Sequence, residues 1–365
     1  MRINEQYKDQ LLNNQLDYFR FIKKSIYGKL IHIPKINVSE INDYNSLFDE
    51  NKKIMRRIND CRIMRFAQSF KVIHDKNKFL NKNPQIKKRI KEIKKATTKQ
   101  VYLSVACIIK NEGQYIKEWL DVHIAAGVER FYIFDNESTD NILEILKEYI
   151  DSGVVVYIPF PGKNVQLYAY NTALDLSKKS SKWLAIIDAD EFLHPVGQTD
   201  LKAVLKDYEE FPGIGVNWVV YGPCGHKTKP SGGLCKNYRY SFENKNHEMN
   251  CRIKSVIQPK KTMSVKSTHH CWYKKGRYAV DENKEEIVGD VLYAPKSTMK
   301  CTMFNSCNFL RINHYWTKSE EELRIKCQRG YADGCDNPVY ERTLARVDFP
   351  LKEDYQTILP FIKET

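Results

Sequence analysis

The ten residues Trp183 to Phe192, WLAIIDADEF, constrain this chain more than any other stretch. Five consecutive apolar residues, Trp183 to Ile187, fit a strand buried on both faces, the kind found at the centre of a parallel sheet. The run then ends in two carboxylates one residue apart, Asp188 and Asp190. In open α/β sheets the carboxyl ends of the strands face a crevice where ligands bind, so acidic groups there face that crevice and not a core. Residues i and i+2 of a strand point the same way, and that spacing lets both carboxylates reach one divalent cation and its phosphate ligands. The plainer alternative is a pair of ordinary turn or capping carboxylates, and only the surroundings separate the two.

From Val101 onward those surroundings alternate strand and helix. VYLSVACII reads as a strand, and Ile116, Trp119, Leu120 and His123 then form one face of a helix ending near Gly127. FYIFD is the next strand, followed by a helix through Ile142, Leu146 and Ile150. VVVYI is the third strand, Val165 to Ser177 the third helix, and WLAIID the fourth strand. Such a β-α-β-α-β-α-β series predicts a doubly wound, mostly parallel sheet with helices on both faces. Asn111 and Glu112 then fall after the first strand, Asp135 after the second, and Asp188 and Asp190 after the fourth, all on one edge. Further on, residues 198–208 read as helical and Ile214 to Gly222 as a strand, followed by a Gly, Pro and Cys-rich loop to about Cys235. Ser319 to Glu322 has the form of a capping box opening a helix that runs to Gly330.

Residues 1–100 differ in kind, and we read them as a basic helical N-terminal region preceding a main domain over 101–365. They hold 24 Lys+Arg against 10 Asp+Glu, an excess equal to the net charge of +14 of the whole chain. Ile54, Ile58, Cys61 and Met64 recur at helical spacing, as do Ile86, Ile90 and Ile93, the latter among Lys87, Lys88, Arg89, Lys91, Lys94 and Lys95. A basic amphipathic helix of this kind either lies on an anionic membrane surface or packs on the main domain. Nucleic acid is the poorest fit, because no base-stacking aromatics are interleaved with the lysines. No run approaches the roughly 18 apolar residues of a membrane span and the start lacks a signal-peptide core, so we expect a cytoplasmic protein. The ten cysteines are then expected to be reduced. Cys224, His226, Cys235, Cys251 and Cys271 lack a C-x-x-C pair and the regular spacing of a zinc site.

The strand-end groups suit a nucleotide carrying a sugar. Asn111, Glu112 and Asp135 can hydrogen-bond a base and ribose. A hard cation on Asp188 and Asp190 would neutralise charge as a diphosphate leaves. His314 can complete the ligand set, and imidazole beside carboxylates leans toward Mn²⁺ over Mg²⁺. Plainer readings stand beside these: Asp135 and Asp140 as caps of the following helix, His123 as a core histidine continuing the apolar stripe, and His314, taken by itself, as a structural histidine.

The segments CIIKNEGQYIKEWLDVHIAAGVERFYIFDNESTD, QLYAYNTALDL, WLAIIDADEF, NWVVYGPCGH and RINHYWTKSEEELRIKCQRG, in order over about residues 103–331, resemble glycosyltransferase family 92 and its bacterial family-2-like relatives. The resemblance implies a GT-A fold, a nucleotide-sugar donor (a UDP-sugar first), a D-x-D metal site and transfer with inversion. Carried over by position, it implies donor contacts from Asn111, Glu112, Asp135, Gln166, Asp188 and Lys318. It implies metal ligation by Asp188, Asp190 and His314. Pro223 and Cys224 stand before Gly225 and His226 where the family usually has serines, and residues 1–100 have no counterpart.

Inversion needs a base near the acceptor hydroxyl. Glu191, His226 and Asp281 are the candidates, with Glu191 and His226 preferred, although on a continuing strand Glu191 would face away from the pair and support it instead. The sequence reading is thus a metal-dependent glycosyltransferase acting on a glycan or lipid-linked acceptor, in lipopolysaccharide or capsule assembly, peripheral on the inner face of the cytoplasmic membrane. A nucleotidyltransferase using the same carboxylate clamp and a non-catalytic nucleotide-binding scaffold are the alternatives.

Overall fold

The computed structural model describes residues 62–247, 249–287, 302, 305–329, 340–345, 350–354 and 357–362. The helical periodicity at Ile54, Ile58 and Cys61 lies outside the described residues. Strands β1 (Val101–Ile109), β2 (Arg130–Asp135), β3 (Val155–Pro159) and β4 (Ser181–Ile186) pair in parallel in the order β3-β2-β1-β4. Helices α3 (Ile116–Ala125), α4 (Ile142–Asp151) and α5 (Gln166–Ser177) make the crossovers. Side-chain alternation along these strands divides the interior in two. Leu103, Val105, Cys107 and Ile109 of β1, with Trp183 and Ala185 of β4, face α3 and α4, whereas Ala106, Ile108, Leu184 and Ile186 face α5. Gly127, at φ +103, stops α3 where the sequence predicts, and a Cβ there would collide with Asp200 Oδ1.

The face on the α5 side is completed by α1 (Arg62–Lys82) and α2 (Pro84–Ala96). Pro84 opens α2, and its stripe Ile86, Ile90 and Ile93 is buried against Ala106, Ile108, Tyr132, Phe134 and Ile158. Of the two readings of that helix, packing on the main domain is the one observed: the apolar stripe is covered by the sheet, and the lysines are left on the outside. α1 is tied down by Lys76 to Asp175 of α5, and by a hydrogen bond between Ser264 Oγ and Ser69 Oγ at 2.9 Å. Among the described residues no helix is long and apolar enough to cross a membrane.

The second half of the sheet is mixed. β8 (Ile253–Ile257) pairs antiparallel with both β4 and β6 (Gly213–Val220). β11 (Leu310–His314) runs parallel to β6 and antiparallel to β5 (Glu191–Pro195), giving the full order β3-β2-β1-β4-β8-β6-β11-β5. Only Ile187 to Asp190 join β4 to β5, and Glu191 N bonds Asp188 O at 3.1 Å to close that link as a turn. Strands lie about 4.8 Å apart, so four spacings in a flat sheet would exceed the reach of this link. The sheet therefore curls, bringing its last strand back beside the end of β4. This is the mostly parallel, helix-flanked α/β sheet of GT-A type expected from the sequence, and β5 is the strand that expectation lacked. The hairpin β9 (Thr262–Ser267) and β10 (His270–Tyr273) and the pair β7 (Tyr240–Phe242) with β12 (Leu351–Glu353) stand outside it. Short helices α6 (Leu201–Lys206), α7 (Leu234–Asn237), α8 (Glu320–Arg329) and α9 (Tyr340–Ala345) fill the remainder.

Candidate active site

β4 ends at Ile186, so Asp188 and Asp190 sit in a turn and not on a continuing strand. The turn is locked twice: besides the Glu191 amide bond, the Asp188 amide donates to Glu191 Oε2 at 2.9 Å. Glu191 is wholly buried, whereas Asp188 and Asp190 retain 34% and 14% of their side-chain exposure. The parallel register of β1 with β4 (Ala106 with Ile186) and with β2 (Ile109 with Asp135) puts this turn on the same sheet edge as Asn111, Glu112 and Asp135.

Cations surround the turn. Lys254, the second residue of β8, stands 2.5 Å from Asp188 Oδ2 and 3.3 Å from Glu191 Oε2. Tyr170 Oη donates to Asp188 Oδ1 at 3.0 Å. Lys326 of α8 meets Asp190 Oδ2 at 2.7 Å, and His314 Nε2 lies 3.6 Å from Asp190 Oδ1 and 3.9 Å from Glu191 Oε1. Trp218 packs on His314 with ring centroids 4.3 Å apart. Burial works against ionising Asp188, but the Lys254 ammonium overrides it and holds the carboxyl below its ordinary range. Asp190 is held well below, against its burial, by Lys326 and His314. Burial pushes Glu191 up to about 8, with Lys254 opposing and the two aspartates reinforcing. His314 is pushed down by burial in spite of Asp190, which keeps the imidazole in its neutral, metal-binding form.

The three expected metal ligands are therefore not equivalent. Asp190 Oδ1 and His314 Nε2, 3.6 Å apart, suit one divalent ion at the usual ligand distances of about 2.0–2.2 Å. Asp188 is turned to Lys254 and Tyr170 instead. Among the described residues no group of three His, Cys, Asp or Glu side chains is arranged around one metal position. The pair fits the group the sequence implies and the trio does not.

The other expected residues lie around this centre. Asn111, at φ 55, uses Oδ1 to accept from the Thr139 amide at 2.7 Å, and its own amide donates to Ser138 Oγ. Asp135 accepts from the Ser138 amide at 3.0 Å and from Tyr157 Oη at 2.5 Å, while Asp140 accepts from the Gly113 amide at 2.8 Å. Neither aspartate caps α4: both brace the loops at the sheet edge. Gln166 opens α5 one turn before Tyr170 and so shares its face. Lys318, at φ 55, pairs with Glu112 at 3.4 Å and lies 4.7 Å over the Tyr115 ring. The capping box forms as predicted, with Glu322 N bonding Ser319 Oγ and Ser319 N bonding Glu322 Oε2. Glu322 also accepts from Tyr115 and Tyr238, and His226 packs edge-on to Tyr238 with its Nε2 3.2 Å from Asn237 O. His226, Glu112 and Lys318 thus gather about the start of α8, and Lys326 one turn past Glu322 reaches Asp190. Asp281 stands apart: it follows Val280, which bridges Ile214 near the start of β6, and accepts from amides of its own loop. His123 is the core histidine of the plainer reading, between Trp119 O and the Leu193 amide.

Sequence reasoning missed Lys254, Tyr170 and Lys326. A lysine inside the apolar run IKSVI is a signal in itself, since a buried ammonium needs a carboxylate partner. Tyr170 was legible only as the residue four beyond Gln166.

A curled, mostly parallel α/β sheet bearing a carboxylate turn at its strand ends is the class of fold and site seen here. The family model of glycosyltransferase family 92 matches residues 99–310, more than half of the chain, and the chain belongs to that family. It is 29% identical over 187 residues to a glycosyltransferase family 92 protein of Oryza sativa subsp. japonica, covering 48% of this chain and 30% of the relative. A family 92 protein of Ricinus communis is 24% identical over 248 residues, covering 64% of this chain and 41% of its own. The chain thus spans less than half the length of these relatives. Among solved structures, S. aureus TarS 1–349 in complex with UDP overlays with TM-score 0.31 at 14% identity, over 44% of this chain and 47% of that one. Glucosyl-3-phosphoglycerate synthase from Mycobacterium tuberculosis overlays with TM-score 0.23 at 19% identity, over 35% and 47%.

Proposed function

We propose that this chain transfers a sugar from a nucleotide-sugar donor, a UDP-sugar first, to a hydroxyl of a glycan or lipid-linked acceptor, with inversion. The observation that carries the reading is the Asp188–Glu191 turn in a family 92 chain, with two aspartates held ionised beside Lys254, Lys326 and a neutral His314 at the strand-end edge. Asp190 and His314 would hold Mn²⁺ or Mg²⁺, which would neutralise the diphosphate as it leaves. Lys318 and Lys326 offer further positive charge to the phosphates, and Gln166 with Glu112 would orient the donor. Of the two preferred bases, His226 is half-buried and is the one we assign to the acceptor hydroxyl, whereas Glu191 has no exposed surface and braces the turn. We place the protein at the cytoplasmic face of a membrane, held by the exposed lysines of α2 on anionic lipid. The relatives named above are plant proteins and single out no bacterial glycan.

The test is a panel of nucleotide sugars with Mn²⁺ or a chelator, reading nucleoside diphosphate release and acceptor labelling. We expect release with at least one donor, and a fall of about 10²–10³-fold for Asp190→Ala. Pyrophosphate release from a triphosphate without sugar transfer would replace this reading with nucleotidyl transfer.

A further inference from the structure

The aspartates of the turn are met by two lysines of different kinds. Lys254 springs from β8, a strand hydrogen-bonded on both sides, and its side chain is 1% exposed. Its ammonium is buried, and the strand that carries it is held by β4 and β6. Both oxygens of Asp188 are spent within the protein, Oδ2 on Lys254 and Oδ1 on Tyr170. Lys326 reaches Asp190 Oδ2 from the edge of α8, is 17% exposed, and also donates to Trp316 O at 2.9 Å. A long side chain on such a helix can swing into solvent, and Asp190 Oδ1 already faces His314 Nε2.

We infer, on the reading that this site serves a nucleotide sugar, that Lys254 is a positioning residue: it commits Asp188 to bracing the turn and leaves Asp190 with His314 as the pair open to a divalent cation. A cation on Asp188 would stand beside a fixed like charge at low dielectric, where repulsion is strong. Lys254 also touches Glu191 Oε2, the atom that receives the Asp188 amide, so one ammonium contacts the side chain at each end of the turn. The two aspartates that look interchangeable in the sequence do different work.

The test reads Mn²⁺ affinity of the full chain, by calorimetry or by the electron paramagnetic resonance signal of free Mn²⁺, with and without UDP. Asp188→Asn alone would leave Lys254 unneutralised, so the informative variant is the charge-balanced pair Asp188→Asn with Lys254→Met. That pair is expected to bind Mn²⁺ within about threefold of the native chain, whereas Asp190→Asn and His314→Ala each lose about tenfold or more. Lys254→Met alone, which frees Asp188, is expected to bind Mn²⁺ more tightly, and Lys254→Arg as the native chain does. If Lys254→Met does not fold, the double variant still decides. Loss in the double variant as deep as in Asp190→Asn overturns the inference, as does absence of Mn²⁺ binding by the native chain with and without UDP. Sugar-nucleotide turnover by the native chain, measured alongside, tells a failure of this inference from a failure of the proposed function.

Discussion

The two halves of the sheet do opposite things with charge. In the parallel half, β3-β2-β1-β4, acidic and amide side chains sit at strand ends and are spent on loop backbone or a neighbouring tyrosine, as Asp135 is on Ser138 and Tyr157. In the mixed half, β8-β6-β11-β5, titratable groups are buried within the sheet and face one another: Lys254 is second in β8, and Glu191, first in β5, stands opposite His314, last in β11. The parallel half builds an edge, and the mixed half arms it with the cation and imidazole that face the Asp188–Glu191 turn. Removing a group from the mixed half is therefore expected to unbalance buried charge, whereas removing one from the parallel half costs packing.

Lys254→Met gives the largest expected effect on stability. Breaking a buried pair by deleting one partner costs about 3–5 kcal/mol, because Asp188 remains without its cation. Replacing the pair together, Asp188→Asn with Lys254→Met, is expected to recover most of that loss in urea melts. A single variant as stable as the native chain would mean that the two halves do not differ in this way.

Ile90→Ala probes the parallel half. Ile90 is 6% exposed, in the stripe that covers the sheet, and truncation is expected to cost about 2–3 kcal/mol with no change in Mn²⁺ affinity. The same result would show that α2 is held by its apolar face. A change in vesicle binding, by contrast, is expected from the exposed face, through Lys87, Lys88 and Lys91.

The edge-building half is the part the sequence makes legible. Its strands are local, each followed by its own helix, so periodicity alone finds Val101–Ile109 and the helix opening at Gln166. The mixed half is not local. β8 lies between β4 and β6 although β5 and β6 precede it in the chain, and nothing in the order of residues announces that Lys254 will stand against Asp188, 66 positions earlier. β5 was hidden for a related reason: EFLHP continues an apolar string, and the turn before it is made by Asp188 and Glu191 with no Gly or Pro to mark it. Asp188 and Asp190 were found because their residue types are unusual in place, and His314 through the resemblance of its Asn-His-Tyr segment. Their different partners followed only from the curl of the sheet.

A smaller effect, in pH, tests the joint between the halves. His123 of α3 donates from Nδ1 to Trp119 O and accepts the Leu193 amide at Nε2, which fixes it as neutral. Burial lowers its pKa from 6.5 to about 3. Between those values the unfolded chain holds a proton that the folded one does not, so this stability is present above about pH 6.5 and is lost as pH falls toward 3. His194 and His269, lowered to about 4 and about 3, add in the same direction. Urea midpoints are expected to drop from pH 7 to pH 5, and His123→Gln to lessen that slope. An unchanged slope would mean that His123 protonates freely in the folded protein.

The smallest expected effect lies at α8, where both halves meet. Ser319 and Glu322 cap that helix reciprocally, and Glu322 is also the acceptor for Tyr115, just before α3, and Tyr238, just after α7. Ser319→Ala removes the hydroxyl that accepts the Glu322 amide and should cost about 1 kcal/mol, as cap losses do. Glu322 keeps its two tyrosine donors and the Ser319 amide, so the start of the helix stays in place. Lys326 follows one turn later, and its hold on Asp190 depends on that placement. Ser319→Ala is thus expected to leave Mn²⁺ affinity unchanged while Glu322→Gln, which loses the charge that Tyr115 and Tyr238 share, alters both stability and donor KM. If Ser319→Ala alone shifted Mn²⁺ affinity, the cap would be setting the position of Asp190 through Lys326, and the charge around the turn would depend on α8 as much as on β8.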